Sequence, residues 1–380
     1  IVSEIALACM LVFAAGLLTR SFLKVIATDP GFRPEMVAAV RVDPGREQRA
    51  SAERFVAYVD AVLSRARALP GVKNVGLSDG LPLGSNRSWG AWVQGKAYTE
   101  ATMPSAFIRV VSDGYVSAMG MRLVSGRDFA PDDIPSSTPV IIINETMAHT
   151  LFPGERALDR IVVSDKPRRV VGVVGDVRHL ALDASAGNEI YLPFRQTGDF
   201  SAVHLVARTE MAPEAFTAAL RNALQSIVPD MPARDFQSLQ ERVDHALSPR
   251  RFTMALLNGF ALFAVLLALL GIHGVVTYTV NQRTQELGVR MAMGASATRL
   301  QLDIVRSTLA LALIGMIVGT VASLGLVRWM GSFLYGVSAN DPVTLALMLG
   351  TLTVVAVISG YLPARRVSRI DPLAALRAGG

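Results

Sequence analysis

Three stretches of this chain carry no charged residue: Met254–Val280, Ser307–Val327 and Pro342–Ala364. Each reaches the roughly 20 residues that cross about 30 Å of hydrocarbon at about 1.5 Å per residue. The pattern therefore predicts membrane helices at about 254–280, 305–330 and 342–364. A fourth apolar run, Ile5–Thr19, is shorter, but Arg20 can lift its guanidinium to the interface while Ser21-Phe22-Leu23 prolong the helix, which places a span within residues 1–24. A secretory leader is the rival reading of this run. A leader carries a basic flank before its apolar core, and here Glu4 stands in that position.

Between the first and second spans, the pattern changes to that of a folded domain over residues 25–250, long enough to bury its own core. Met36–Val42 alternates like a strand, Ala52–Ala68 has helical spacing, and Val72–Leu77 returns as a strand after Pro70-Gly71. Ala202–Ala207, Pro213–Ile227 and Ala233–Phe236 repeat the same β-α-β order. Two such units make a ferredoxin-like layer, with residues 80–200 as an inserted subdomain that carries strands at Ala106–Val111, Pro139–Asn144 and Arg168–Val174. The expected fold is an α-helical transmembrane bundle of four spans with a large extracytoplasmic α/β domain. Residues 251–380 then form the main membrane-spanning part, with a connecting loop at 281–303.

Charge orients this arrangement, because four spans put both termini on one side and the large domain on the other. Arg283, Arg290, Arg299 and Arg306 flank the short loop, and Arg365, Arg366, Arg369 and Arg377 fill the tail. That excess marks their side as cytoplasmic, against Arg20, Lys24, Arg250, Arg251 and Arg328 on the other face. The net charge of +6 and the 51% hydrophobic composition suit topology and membrane lipid rather than nucleic acid. Cys9 is the sole cysteine, which excludes an internal disulfide and a Cys-rich zinc site; inside an apolar run it reads as a packing or lipid-facing residue.

Catalytic chemistry finds no seat. Gly90-Ala-Trp-Val-Gln-Gly95-Lys96-Ala97 has the spacing of a phosphate loop but ends in Ala where Mg²⁺ needs a hydroxyl, and Trp92 and Val93 read as strand. The histidines His149, His179, His204, His245 and His273 are scattered, without metal-ligand spacing. His273, within the second span, reads as a packing residue beside Gly271 and Gly274. Asp132-Asp133 after Pro131 read as solvated turn residues rather than a calcium site. The expectation is a protein that is not an enzyme and binds no cofactor or metal itself.

The segment Val280–Ala295, wedged between two spans, carries the functional signal. Arg283, Glu286 and Arg290 can share one face of a short helix while Leu287 and Met291 share another, and Gly288 and Gly294 leave room for a close backbone approach. Spacing alone leaves two readings open, a solvated amphipathic turn and a coupling element that docks into a cytoplasmic partner. Gly315 and Gly319 in the third span form a GxxxG, a helix-packing candidate, and Asn258 can supply an interhelical hydrogen bond.

Arg283-Thr-Gln-Glu-Leu-Gly-Val-Arg-Met-Ala-Met-Gly-Ala295 resembles the motif that follows the second span in the FtsX/MacB family of ABC-transporter permeases, with Leu287 in place of the usual Ile. The tail Tyr361-Leu-Pro-Ala-Arg-Arg-Val-Ser-Arg-Ile-Asp-Pro-Leu-Ala-Ala-Leu-Arg377 is similar to the family's C-terminal signature. Asp29-Pro30-Gly31-Phe32, Gly126-Arg127-Asp128-Phe129 and Ile143-Asn144-Glu145-Thr146 look like its other segments. Relatives usually carry Gly at the position of Asp159, which questions the local turn. The likeness is greatest to the duplicated-permease branch, whose C-terminal half would begin at a span, as this chain does at Ile1.

The resemblance implies a bacterial inner-membrane permease with its large domain periplasmic, driven by a separate cytoplasmic ABC ATPase that holds ATP and Mg²⁺. It further implies a second permease half or a homodimer partner, with a periplasmic adaptor as a further candidate partner. Arg283, Glu286, Leu287, Gly288, Arg290, Met291 and Gly294 become ATPase-coupling candidates, and Arg365, Arg366, Asp371 and Pro372 candidates for contact by the cytoplasmic tail. The output is export or mechanical movement of the outer domain. The alternative is a membrane sensor or scaffold with a ligand-binding outer domain and no ATPase.

Overall fold

Alternating apolar residues and Gly/Pro turns in the middle of the chain build one α/β unit, Thr28–Ser248, while the charge-free runs build a second unit from Ile1–Ala27 and Pro249–Gly380. The computed structural model describes residues 1–99, 101–197, 203–228, 236–293, 295–329, 334–338 and 340–367.

In the α/β unit, β1 (Val37–Arg41), α2 (Ala52–Arg67, after α1, Val2–Ile26, of the membrane unit) and β2 (Val72–Ser78) form the first β-α-β. β11 (His204–Thr209), α5 (Pro213–Leu224) and β12 (Phe236–Ser238) form the second. Ala202 and Ala233, which the sequence pattern includes in these strands, lie outside the described residues. The strands run β12-β1-β11-β2, each pair antiparallel. Both crossover helices lie on one face, as ferredoxin-like order requires. Ser51 caps α2 by accepting the Arg54 N–H at 3.2 Å. Its apolar stripe of Phe55, Val59 and Val62 then packs with Phe216, Leu220 and Leu224 of α5.

The inserted strands extend the sheet. β5 (Ser105–Val111) pairs in parallel with β10 (Glu189–Pro193), which pairs with β7 (Val140–Asn144), and β7 runs parallel to β9 (Pro167–Val174). β3 (Arg87–Gly90), β4 (Trp92–Val93), β6 (Leu123–Gly126) and β8 (Ile161–Val163) complete it, with α3 (Tyr115–Met119) and α4 (Glu145–Leu151) packed alongside. Among the described residues, the ladder joining β2 to β5 has one pair, Ser78 with Val111. Asp79 reinforces the junction: its N–H donates to the Val110 carbonyl at 3.0 Å and its carboxylate accepts the Val110 N–H at 2.9 Å. The Gly90–Ala97 stretch is strand and turn, with no helix following Gly95.

Two local expectations need amendment. Asp133 is not a solvated turn residue: it is 5% exposed and accepts both Arg127 N–H groups at 2.8 Å and the Ala130 N–H at 2.8 Å. Burial opposes its charge, but these hydrogen bonds outweigh burial and hold its carboxyl below the usual range. The turn at Asp159 adopts a left-handed φ of 65°. An aspartate tolerates that region at moderate strain where Gly would sit unstrained.

Four helices are long and apolar enough to cross a membrane: α1 (Val2–Ile26), α6 (Leu239–Gln282), α8 (Ala297–Trp329) and α9 (Pro342–Val367). α6 begins well before the charge-free run because Ser238 and Glu241 form a capping box: the Ser238 hydroxyl accepts the Glu241 N–H at 3.0 Å and the Glu241 carboxylate accepts the Ser238 N–H at 3.2 Å. The expected loop 281–303 is largely helical, holding α7 (Thr284–Ala292) and the first turns of α8.

Glycines set the packing of these helices. A methyl group on Gly319 would lie 2.5 Å from Cys9 Cβ, and one on Gly315 would lie 2.9 Å from Ile5 Cβ, so the GxxxG receives α1 of the same chain. Cys9 is fully buried in that contact. Asn258 donates to the Thr19 hydroxyl at 3.0 Å, tying α6 to α1, and Arg20 pairs with Asp341 at the start of α9. α6 is nevertheless the least enclosed span, 17% of its most apolar stretch being buried against 44% for α1, 33% for α8 and 39% for α9.

The helix packing sets one outcome, and the burial of Asp128 and the backbone of Asp159 set two more. Gly319→Leu overfills the α1–α8 contact, at a cost of about 1–3 kcal/mol, and Cys9, shielded in the native bundle, should become reactive to a maleimide. Burial pushes the Asp128 carboxyl up to about 6, so the charged carboxylate weakens the fold as pH rises from about 4 to about 6. Asp128→Asn should therefore stabilise the α/β unit by about 1 kcal/mol at pH 7.5 and have little effect at pH 4, read as denaturant midpoints. Asp159→Gly should raise thermal stability by about 0.5 kcal/mol and Asp159→Val lower it by more than about 1 kcal/mol.

Candidate functional site

The helix after the second span is split by its own residues. α6 stops at Gln282, Arg283 leaves helical geometry at φ −94°, ψ 9°, and α7 restarts at Thr284. The Thr284 hydroxyl bonds back to the Val280 carbonyl at 3.0 Å.

α7 has two faces. Leu287, 7% exposed, and Gly288 are buried, and Leu287 and the half-buried Met291 cluster with Val276 and Val280 of α6 and Leu300 of α8. Arg283, Gln285, Glu286, Val289, Arg290 and Met293 are exposed on the other face. Glu286 and Arg290 pair four residues apart, worth only about 0.3–0.5 kcal/mol at an exposed site. Between α6, α7 and α8 lies a cavity of about 330 Å³ whose polar rim is Arg283, Glu286, Arg290 and Asp303, with Val276 and Leu300 deeper.

The motif residues thus divide by role. Glu286, Arg290 and Arg283 are presented outward, whereas Leu287 and Met291 pack into the bundle and Gly288 is buried. Gly294 lies outside the described residues, as do Asp371 and Pro372 of the tail. Arg365 is exposed on the last turn of α9, and the backbone of Arg366 continues that helix. Gly315 and Gly319 belong to the α1–α8 contact.

Sequence reasoning passed over Val289 and Met293, which are 37% and 76% exposed. Their signal is an apolar residue on the charged face of a short helix, visible only once the other face is known to be buried. It also passed over a polar cluster in the α/β unit. Arg109 donates to His179 Nδ1 at 3.0 Å, and His179 Nε2 lies 2.6 Å from Glu189 Oε1, off the hydrogen-bonding direction. Tyr191 donates to the same carboxylate at 2.7 Å. Arg109, His179 and Glu189 are 2%, 3% and 1% exposed, so the cluster braces the interior rather than meeting a solute. No sequence signal unites residues so far apart along the chain. Among the described residues, no group of three or more His, Cys, Asp or Glu is placed to hold a metal ion.

α7 thus turns a charged face outward while its apolar side packs in the bundle. Residues 2–223 match the MacB-like periplasmic core domain, and residues 258–372 match the FtsX-like permease C-terminal region. The chain is 25% identical over 291 residues to the macrolide export ATP-binding/permease protein MacB of Mannheimia succiniciproducens, covering 73% of this chain and 44% of that one. It is 27% identical over 288 residues to the uncharacterized ABC transporter permease YknZ of Bacillus subtilis, covering 72% and 70% respectively. The chain therefore spans less than half the length of that MacB relative. The periplasmic region of MacB from Actinobacillus actinomycetemcomitans aligns at 18% identity and a TM-score of 0.39, over 57% of this chain and 95% of that one. With its α/β unit and its membrane helices both matched, the chain belongs to the MacB/FtsX-type family of ABC-transporter permeases.

Proposed function

We propose that this chain couples ATP hydrolysis by a separate cytoplasmic ABC ATPase to movement of its α/β unit on the opposite side of a bacterial inner membrane, for export or for mechanical signalling. ATP and Mg²⁺ bind the ATPase, and a second permease half or a second copy completes the transporter. A periplasmic adaptor fits the same scheme. The two-faced α7 supports this reading: Leu287 and Met291 hold the helix to the bundle, so a force on Glu286, Val289, Arg290 and Met293 passes into α6 and α8 rather than into a loose loop. The arginines at that end support a cytoplasmic position for it.

Glu286→Arg, which sets a like charge beside Arg290, and Met293→Glu, which charges the apolar part of the exposed face, should each reduce permease-dependent ATP hydrolysis by about tenfold or more, the effect of losing about 1.4 kcal/mol of contact. Arg328→Gln, at the other end of the bundle, should leave it unchanged. The assay uses the ATPase that co-purifies with the full chain, and Cys9 protection from maleimide reports an intact bundle. Unchanged hydrolysis in both face variants would sink the proposal.

A further inference from the structure

Residues 79–86 carry the chain from β2, the last strand of the first β-α-β, to β3, the first of the inserted strands. They leave the sheet at the seam where Ser78 and Val111 make the one described ladder pair between β2 and β5. An ion pair between Asp79 and Arg87 closes the base of the loop.

Two arginines from different elements grip it. Arg109 of β5, fully enclosed, donates to the Asn86 side chain, and a methyl on Gly80 would lie 3.0 Å from its guanidinium. Arg242, in the first turns of α6, donates from Nε to the Pro82 carbonyl at 2.8 Å, and its guanidinium occupies the space that a side chain at Gly84 would need. The other bond of Arg242 runs to Gln237 Oε1 at 3.2 Å, so both acceptors are uncharged. Between the two grips, Leu83 holds a left-handed φ of 58°, an outlier for a bulky side chain. Its N–H donates to the His179 carbonyl at 3.0 Å. Such a conformation persists only where its surroundings over-determine it.

The arm that carries Arg242 is set into the core. Leu239 of α6 and Leu81 of the loop belong to one buried cluster, with Val243 packed against it. The capping box of Ser238 and Glu241 fixes the same turn. A turn of this helix about its axis therefore carries Arg242, and with it the Pro82 carbonyl.

We propose that residues 79–86 are a hinge worked by α6, through which Arg242 shifts the inserted strands against the ferredoxin-like layer. The hinge rests on the reading of α6 as the force-bearing helix behind α7. Arg242 is the positioning residue: it draws on Pro82, the loop passes the displacement to Asn86 and Arg87 at the head of β3, and the sheet yields at its single-pair seam. Leu83 absorbs the change in backbone angle, as the loop residues of a hinge do, because its left-handed geometry is the one its own side chain favours least.

Nitroxides on Glu53→Cys of α2 and Ser136→Cys of the inserted subdomain, both exposed positions, read the distance across the hinge in the full chain with its co-purifying ATPase. Cys9 is buried and stays unlabelled. ATP with vanadate should shift that distance in the native chain. Arg242→Met, which keeps the stem and removes the guanidinium, should lose the shift while hydrolysis continues and the nucleotide-free distance stays native. Arg242→Lys, which still donates to the Pro82 carbonyl, should keep part of the shift. Gly84→Ala, which displaces the guanidinium with Arg242 in place, should lose it too. Arg41→Gln, at an exposed position of the same layer, should leave it whole. The hinge is overturned if the native pair does not shift, if Arg242→Met and Gly84→Ala shift as the native chain does, or if Arg41→Gln loses the shift equally. Should the hinge fail while Glu286→Arg and Met293→Glu still depress hydrolysis, the proposed function stands without it.

Discussion

The membrane unit depends on the close approach of α1 to α8 at Gly315 and Gly319. In hydrocarbon, apolar side chains gain nothing by leaving lipid for a neighbouring helix, so association relies on dispersion contacts that only small residues make dense. Gly319 admits Cys9 and Gly315 admits Ile5 at distances no side chain would allow. α9 then closes on the pair through Gly16 against Thr344 and Gly360 against Thr308. The same contact explains the lone thiol: Cys9 is small enough to enter the glycine seat, and its burial follows from the packing.

Against this three-helix group, α6 is held lightly. Its ties to α1 include the Asn258–Thr19 hydrogen bond and the meeting of Gly271 with the Glu4 carboxylate, where a methyl on Gly271 would lie 2.3 Å from Oε2. α7 follows directly from α6, its apolar side embedded and its charged side outward.

The α/β unit shows a comparable economy at its centre. Its ferredoxin-like layer and inserted strands meet through one described ladder pair, Ser78 with Val111. The Asp79 carboxylate and backbone secure that seam, and the Arg109–His179–Glu189 cluster fills the interior beside it. The buried charges there offset one another electrostatically, with Arg109 Nε 3.6 Å from Glu189 Oε1; removing one member would leave the other uncompensated.

The linear chain by itself determined the class and the order of elements. Runs without charge longer than a bilayer is thick permit only helices that satisfy their own backbone, and the period-2 and period-3.6 patterns of residues 37–78 and 204–224 match observed strands and helices. The motif from Arg283 to Met293 was legible because charge and glycine spacing are local properties. Tertiary structure decided what spacing cannot express: that Leu287 and Gly288 turn inward while Val289 and Met293 turn outward, that Gly315 and Gly319 receive α1 of the same chain, and that Asp133 is buried by Arg127. The start of α6 at Ser238 is also local information, held in a short polar capping box that no apolar run marks. The rest depends on side chains far apart in sequence that meet only when the helices and strands are packed, and periodicity along one element carries no record of the neighbour it will face.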